Sequence, residues 1–383
     1  MMKKTGYPGE FAGAVEAAAS TGGQIMPPIM GAAAFIMAEM TGYEYSDIIV
    51  RAILPAFLYF LGIFLGVHFK AKKLGLVGLK REELPKWKLL LPKIYLLLPL
   101  IILTWMVIAG QTMAKSAIYG TIVAIVVGII NKDDRMTPSK FVNGLENGGK
   151  NCLSVGIACG MAGIIAGVVT MTGLGQVLIG AIVGLSNGHL IIALVLTMLC
   201  CIVLGMGVPT TANYIIMATT CAPILASGMG LNLMAAHMFC FYFGIVADIT
   251  PPVALAAYAG SAIAKAPPMK TAWNATRLAI AAFIIPYIFA YNNALIFVGS
   301  DVNFLSVASI VISATLGMAS IASGLMGYLI RDMKAISRVA LVIGGLLMVI
   351  PGTVTDLAGL AVLVVVLVLQ RIENKKDKAA ASV

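Results

Sequence analysis

The sequence predicts an all-α polytopic membrane protein. Three observations carry that expectation: 60% of the 383 residues are hydrophobic, only 11% are charged, and the mean hydropathy is +0.98. Soluble domains run near a quarter charged, so water could not solvate this chain. At about 20 apolar residues per crossing the length allows roughly ten spans. A transmembrane β-barrel is excluded, because the apolar runs are continuous and lack the alternating polar face of a barrel lumen. The net charge of +10 belongs in loops facing anionic lipid, not on a nucleic-acid surface.

Apolar helices are expected over residues 10–39, 47–69, 94–113, 116–131, 151–171, 189–226 (interrupted), 231–264, 278–299, 304–330, 338–350 and 354–370. Between residues 70 and 93, Lys70, Lys72, Lys73, Lys80, Arg81, Lys86, Lys88 and Lys93 outnumber Glu82 and Glu83. Such an excess marks a cytoplasmic loop. Lys265, Lys270 and Arg277 mark a second basic loop, and Arg331, Lys334 and Arg338 a third. Arg371, Lys375, Lys376 and Lys378 place the C-terminus on the cytoplasmic side.

Parity makes 94–113 and 116–131 an out-and-back pair. Residues 131–151 then return to the cytoplasmic face, where Pro138–Lys150 is expected as a short amphipathic helix along the interface. After 151–171 the chain must be inside again by Lys265. Four full crossings satisfy this, and so does a re-entrant 189–226 followed by 231–264. Composition decides between them: Asn213–Leu225 carries Asn213, Thr219, Thr220, Cys221 and Pro223, too short and too polar for a lipid-facing span. The expectation is a re-entrant helical hairpin with its tip near Gly207–Thr211. Unpaired backbone at membrane depth is tolerated only where it lines a protein cavity, so the tip is a candidate site.

A weak internal repeat is the most informative pattern. Ser20-Thr21-Gly22-Gly23-Gln24-Ile25-Met26-Pro27-Pro28 finds its counterpart in Gly244-Ile245-Val246-Ala247-Asp248-Ile249-Thr250-Pro251-Pro252. Each is followed by small residues and then by a proline-containing apolar helix (Pro55, Pro286). Adjacent prolines remove two backbone donors and break a helix. By the loop assignments the two copies run in opposite directions, the mark of an inverted-repeat secondary transporter. The organisation expected is 1–69 as the end of a first inverted repeat, 70–93 as a basic loop, 94–300 as the second repeat, and 301–383 as a C-terminal transmembrane extension with a basic tail. The second Pro-Pro pair has a hairpin before it, whereas the first has only its own helix. A matching first hairpin is therefore expected on another polypeptide, or the chain is an N-terminally truncated product.

At these residues the sequence resembles the fused membrane permease of TRAP transporters, of the TAXI-associated type. The resemblance is carried by Gly6-Tyr7-Pro8 through Phe35, with FAGAVEAAASTGGQIMPPIMGAAAF, by LGMGVPTTANYIIMATTCAPIL (Leu204–Leu225) and by FGIVADITPPVALAAYAGSAIA (Phe243–Ala264). It covers roughly residues 3–300. It implies a sodium-coupled, elevator-type importer in the inner membrane, fed with a carboxylate-bearing small molecule by a periplasmic TAXI-type solute-binding protein. It also implies that sodium and substrate bind between hairpin tips and broken helices. Carried onto this chain, the positions are Ser20, Thr21, Gly22, Gly23 and Gln24 in the first break, Gly205, Gly207, Pro209, Thr210, Thr211 and Asn213 at the tip, and Asp248, Thr250 and Pro251 in the second break. Gly207, Thr211, Asp248 and Thr250 would offer oxygens to sodium. No cofactor is implied beyond this coupling ion. The family's first hairpin, the scaffold helices before it and the small-subunit helices have no counterpart, so a companion chain would have to supply them.

Each candidate has a plainer alternative. Asp248 reads as a sodium-site or gating residue, or as a structural hydrogen-bond acceptor. The glycines and threonines of the tip read as ion contacts or as close helix packing. Glu16 and Ser20 share one helix face, which lines the bundle or the site, and Gln24 is open in the same way. His189 and His237 read as packing or interfacial residues. Gly156/Gly160 and Gly163/Gly167 read as helix-packing surfaces, and Ser306, Ser309, Ser313 and Ser320 as a hydroxyl stripe that joins helices. The six cysteines lie in apolar segments without a C-x-x-C pair and read as buried, reduced packing residues. With three histidines, no H-E-x-x-H and no G-x-x-x-x-G-K-[ST] loop, neither an enzyme nor an ATP-driven pump is expected. A passive channel and a transport-incompetent or assembly-only fragment remain as rival readings.

Overall fold

The computed structural model describes residues 1–28, 30–78, 87–299, 302–350 and 352–380. Lys80, Arg81, Glu82, Glu83 and Lys86 of the first basic loop lie outside the described residues, as do the side chains of Cys159, Lys375, Lys376 and Lys378. The described residues are helical, with a single isolated bridge between Tyr328 and Asp332 and no strand.

The first broken helix is α1 (Gly9–Gly22) and α2 (Ala32–Thr41). Pro27 and Pro28 stop the helical ladder between them, and Gly42 in the left-handed conformation ends α2. The following α3 (Tyr45–Lys73) carries Asp47 in its first turn and Lys70, Lys72 and Lys73 in its last, which complements its dipole. A short α4 (Trp87–Leu90) leads through a 3-10 turn into α5 (Leu98–Ile108), which pairs with α6 (Met113–Ile130). Lys93 and Asp133 form an ion pair at 2.6 Å, and the Tyr95 hydroxyl donates to Asn131 Oδ1 at 3.3 Å, so both ends of this hairpin lie on one side.

Two local expectations are corrected. Pro138–Lys150 is not a separate interfacial helix: α7 runs unbroken over Pro138–Thr172. Proline is tolerated at a helix start, nothing interrupts the ladder after it, and the Glu146–Lys150 pair at 2.6 Å joins the polar turns at i,i+4 spacing. The stretch after it, left unassigned by the hydropathy pattern, is α8 (Leu174–Ser186).

The expected hairpin is α9 (Leu190–Gly205) and α10 (Thr210–Thr220). Both pack on α11 (Leu233–Ala247), whose residues from Met234 to Ala247 are all buried. A helix that is apolar all round belongs in the centre of a bundle, and Asn232 caps it by accepting from Met234 N at 2.9 Å. After the second break come α12 (Leu255–Ala264), α13 (Pro268–Leu278) and α14 (Ile280–Tyr291). The extension is α15 (Phe304–Met326), α16 (Ala335–Val349) and α17 (Thr353–Ala380).

Among the described residues five helical segments are long and apolar enough to cross a membrane: Tyr45–Lys73, Leu91–Ile108, Pro268–Tyr291, Phe304–Met326 and Thr353–Asn374. Further apolar helices of 10–17 residues, among them Leu190–Gly205, Leu233–Ala247 and Leu255–Ala264, flank the breaks and stand outside this number.

Most of the basic segments gather at one end of the bundle. Gly6 faces Leu76, the Lys3 ammonium donates to Ala264 O at 2.7 Å, and Lys73 reaches Met326 O at 3.3 Å and Asp332 at 3.4 Å. Arg331 and Lys334 pair with Glu373 at 3.7 and 3.6 Å. At the opposite end Arg51 donates to Phe297 O at 3.2 Å.

Close helix crossings use glycines other than those the spacing suggested. A methyl group at Gly13 would stand 2.8 Å from Gly260 O, and one at Gly260 2.6 Å from Gly13 O, so α1 and α12 meet backbone to backbone. Gly317 and Gly345 do the same between α15 and α16. Gly156, Gly160, Gly163 and Gly167 instead face open space on α7.

Candidate functional site at the two helix breaks

The two breaks are built alike. Met30 and Ala254, each three residues after the first proline of its pair, adopt left-handed φ of 44° and 38°. Such values are uncommon for residues with a side chain. Their amides return to Met26 O and Thr250 O, both at 3.2 Å. One residue after Met30, Gly31 N reaches Gln24 O at 2.9 Å, and two residues after Ala254, Ala256 N reaches Asp248 O at 3.0 Å. Gln24 and Asp248 stand at the same position, three residues before the first proline. The carbonyl of the second proline is capped by a tyrosine in both: Tyr45 OH donates to Pro28 O at 3.1 Å and Tyr258 OH to Pro252 O at 2.5 Å. The Tyr45 and Tyr258 caps had no sequence signal, since they lie 17 and six residues from their prolines on different helices.

The breaks also meet in space. Gly9 and Gly13 of α1 face Ala264 and Gly260 of α12, so these two helices run antiparallel. Further along, Thr21, Gly22 and Ile25 share a small cavity with Tyr59, Tyr242, Val246 and Ile249. Tyr59 OH donates to Ala18 O at 2.7 Å, whereas the buried hydroxyl of Tyr242 has no partner. Thr276 of α13 donates to Ile249 O at 3.0 Å and holds the second break from outside.

The hairpin tip lies on the second break. The Thr210 hydroxyl stands beside the Asp248 carboxylate. Gly207, at φ 76°, faces Val253, and a side chain on Gly205 would strike Asn213 and Ala247. Asn213 Nδ2 donates to Gly244 O at 3.0 Å, while its buried Oδ1 has no partner. A buried acceptor left unpaired is costly and fits a site built to receive a donor or a cation. Thr250 Oγ1 donates back to Val246 O at 2.7 Å. The geometry thus brings Gly205, Gly207, Thr210 and Asn213 to Asp248 and the turn at Pro251, and Thr21 and Gly22 to the same helix. Ser20, Gly23 and Pro209 are exposed, Gln24 and Thr211 half-buried, and among the described residues no hydrogen bond joins them to the second break. Glu16 is exposed beside Ser20, so their shared face does not point into the bundle of this chain.

Other sequence readings resolve here too. His237 is buried and its Nδ1 lies 2.8 Å from Tyr214 OH, a packed residue. Cys201, Cys221 and Cys240 are buried and free, whereas Cys152 is exposed on α7 rather than packed as expected. Two motif fragments sit in the wrong context for chemistry. Gly184-Leu185-Ser186-Asn187-Gly188 reads G-x-S-x-G, but Ser186 is buried at the end of α8 and bonds Val183 O at 2.9 Å, not on a strand-to-helix elbow. Gly144–Asn151 reads G-x-x-x-x-G-K but ends in Asn, inside α7.

The model of the tripartite ATP-independent periplasmic transporter family, DctM component, matches residues 1–304. The chain belongs to this family. No curated protein matches it. A DctM component is the permease of a TRAP transporter and works with a periplasmic binding protein and a small membrane component. In this DctM chain the match spans both breaks and the hairpin, and leaves α15–α17 almost wholly outside it.

Proposed function

We propose that this DctM chain is the permease of a sodium-coupled, elevator-type importer of carboxylate-bearing solutes. Its partner would be a periplasmic binding protein of TAXI type, a subtype supported by the blocks at 11–35, 204–225 and 243–264. The gathering of basic residues at one end of the bundle supports an inner-membrane orientation with that end and the C-terminus cytoplasmic.

The observation that carries the reading is the carboxylate of Asp248 at a helix break, met by Thr210 from the hairpin tip. An uncompensated carboxylate at membrane depth is costly, and a sodium ion removes that cost while drawing oxygens together. Asp248, Gly207, Thr211 and Thr250 supply carboxylate, carbonyl and hydroxyl oxygens, the hard ligand type such a cation takes, by extension from other hard cations. The unpaired Asn213 Oδ1 is a further acceptor beside them. Sodium bound here closes the tip onto the break. The N-terminus of α10 then offers its positive dipole end to a substrate carboxylate, with Ser20–Gln24, Gly205, Pro209 and Pro251 framing the solute.

The test is thermal unfolding of the purified chain in sodium against potassium at matched ionic strength, followed by sodium-driven uptake in the assembled complex. Sodium at about a hundred times its Kd stabilises a single site by about 2.7 kcal/mol. Asp248→Asn is expected to remove that increment and to abolish uptake. Equal melting in both salts, or undiminished uptake by Asp248→Asn, overturns the reading.

A further inference from the structure

At the end of the bundle opposite Lys73, the extension and the end of α14 enclose a second polar cavity of about 330 Å³, lined among others by Asn292, Ser309, Ser313, Met348, Thr353 and Asp356. It shares no residue with the breaks. Among the described residues no lysine or arginine lines it.

The polar groups of this cavity are rich in acceptors and short of hydrogens. Ser313 Oγ lies 2.5 Å from Asp356 Oδ1 and 3.1 Å from Met348 O. A hydroxyl carries one hydrogen, so it can serve only one of those two acceptors. Ser309 turns its own hydrogen to Ser306 O at 2.8 Å, which leaves its lone pairs available. Met348 belongs to the last turn of α16, where helix carbonyls have no intrahelical partner.

The local field has the matching sign. The C-terminal ends of α14, at Tyr291, and α16, at Val349, each present a partial negative charge. They add to the Asp356 carboxylate, against the positive start of α17, with the start of α15 at Phe304 more than a turn beyond Ser309. Service to the α17 dipole accounts for an acid in its first turn. It does not account for one hydroxyl wedged between two acceptors beside two helix C-termini.

We propose that this cavity is a sodium-binding site, with the Asp356 carboxylate, the Ser313 hydroxyl and the Met348 carbonyl as protein ligands. Water fills the rest of the coordination shell; a polar cavity of this volume holds on the order of ten molecules. The three ligands come from α17, α15 and α16, so the ion fastens the extension together where it abuts α14. The site is independent of the transport reading, because it uses none of the same residues.

Equilibrium binding of radiolabelled sodium to the purified full chain tests it. Asp356→Asn is expected to lower the sodium bound at saturation by one ion per chain. Ser313→Ala, which keeps the carboxylate, weakens the same component about tenfold. In an Asp248→Asn background the loss on adding Asp356→Asn is the same, which separates failure of this site from failure of the transport site. Wild-type isotherms from both Asp356→Asn and Ser313→Ala overturn the proposal, as does displacement of this ion by potassium or methylammonium as effectively as by sodium.

Discussion

The two helix breaks share a backbone and differ in what faces it. Both turn through a left-handed residue three positions after the first proline. Both return an amide to the residue three positions before it, and both have a tyrosine on the second proline's carbonyl. At the equivalent position, however, one carries the neutral amide of Gln24 and the other the carboxylate of Asp248. The hairpin tip contacts the second break through Thr210 and Gly207, while Ser20 and Gly23 beside the first are exposed. Repetition supplies the scaffold twice, and the charge is placed once.

Exchanging the two residues breaks the comparison most severely. Gln24→Asp combined with Asp248→Gln moves the carboxylate to the break that lacks the tip, and the sodium-dependent rise in melting temperature is expected to fall to what an Asp248→Asn chain retains. Its survival would show that the breaks are interchangeable. Next in size are Gly13→Val and Gly260→Val. Each forces a side chain into backbone at the α1–α12 crossing, and overpacking of this kind costs about 1–3 kcal/mol. The two losses should be equal by thermal unfolding if both halves lean on the same contact.

Tyr45→Phe is expected to cost about 1 kcal/mol, and Tyr258→Phe less than that. Tyr45 is buried, whereas Pro252 is exposed and water can replace the lost hydroxyl. A larger loss at Tyr258 would reverse the order of the two caps. Smallest is Gly163→Ala on the open face of α7, expected to leave stability unchanged or raise it by up to about 1 kcal/mol through helix propensity. A clear loss there would mean that this face is packed after all.

Much of this was legible in the sequence, for identifiable reasons. Pro27-Pro28 and Pro251-Pro252 announce breaks because proline removes donors whatever surrounds it. The tip was legible because Asn213–Leu225 after it is too short and too polar for a lipid-facing span. Tertiary partners were not legible. Glycines four apart on α7 mark a helix face, but no spacing says whether another helix meets it, and the close crossings fell to Gly13, Gly260, Gly317 and Gly345. Asp356 carried no sequence signal because its surroundings depend on Ser313, 43 residues away in sequence and adjacent in space.

The extension packs α15 along α3 and α16 against α14, helices that follow the first and the second break. Lys73 clips one side of this arrangement to Met326 and Asp332. α3 and α14 are therefore spliced to a common strut that belongs to neither half. Sliding one past the other would shear the strut, so whatever travels during a transport cycle must take both with it or leave both behind.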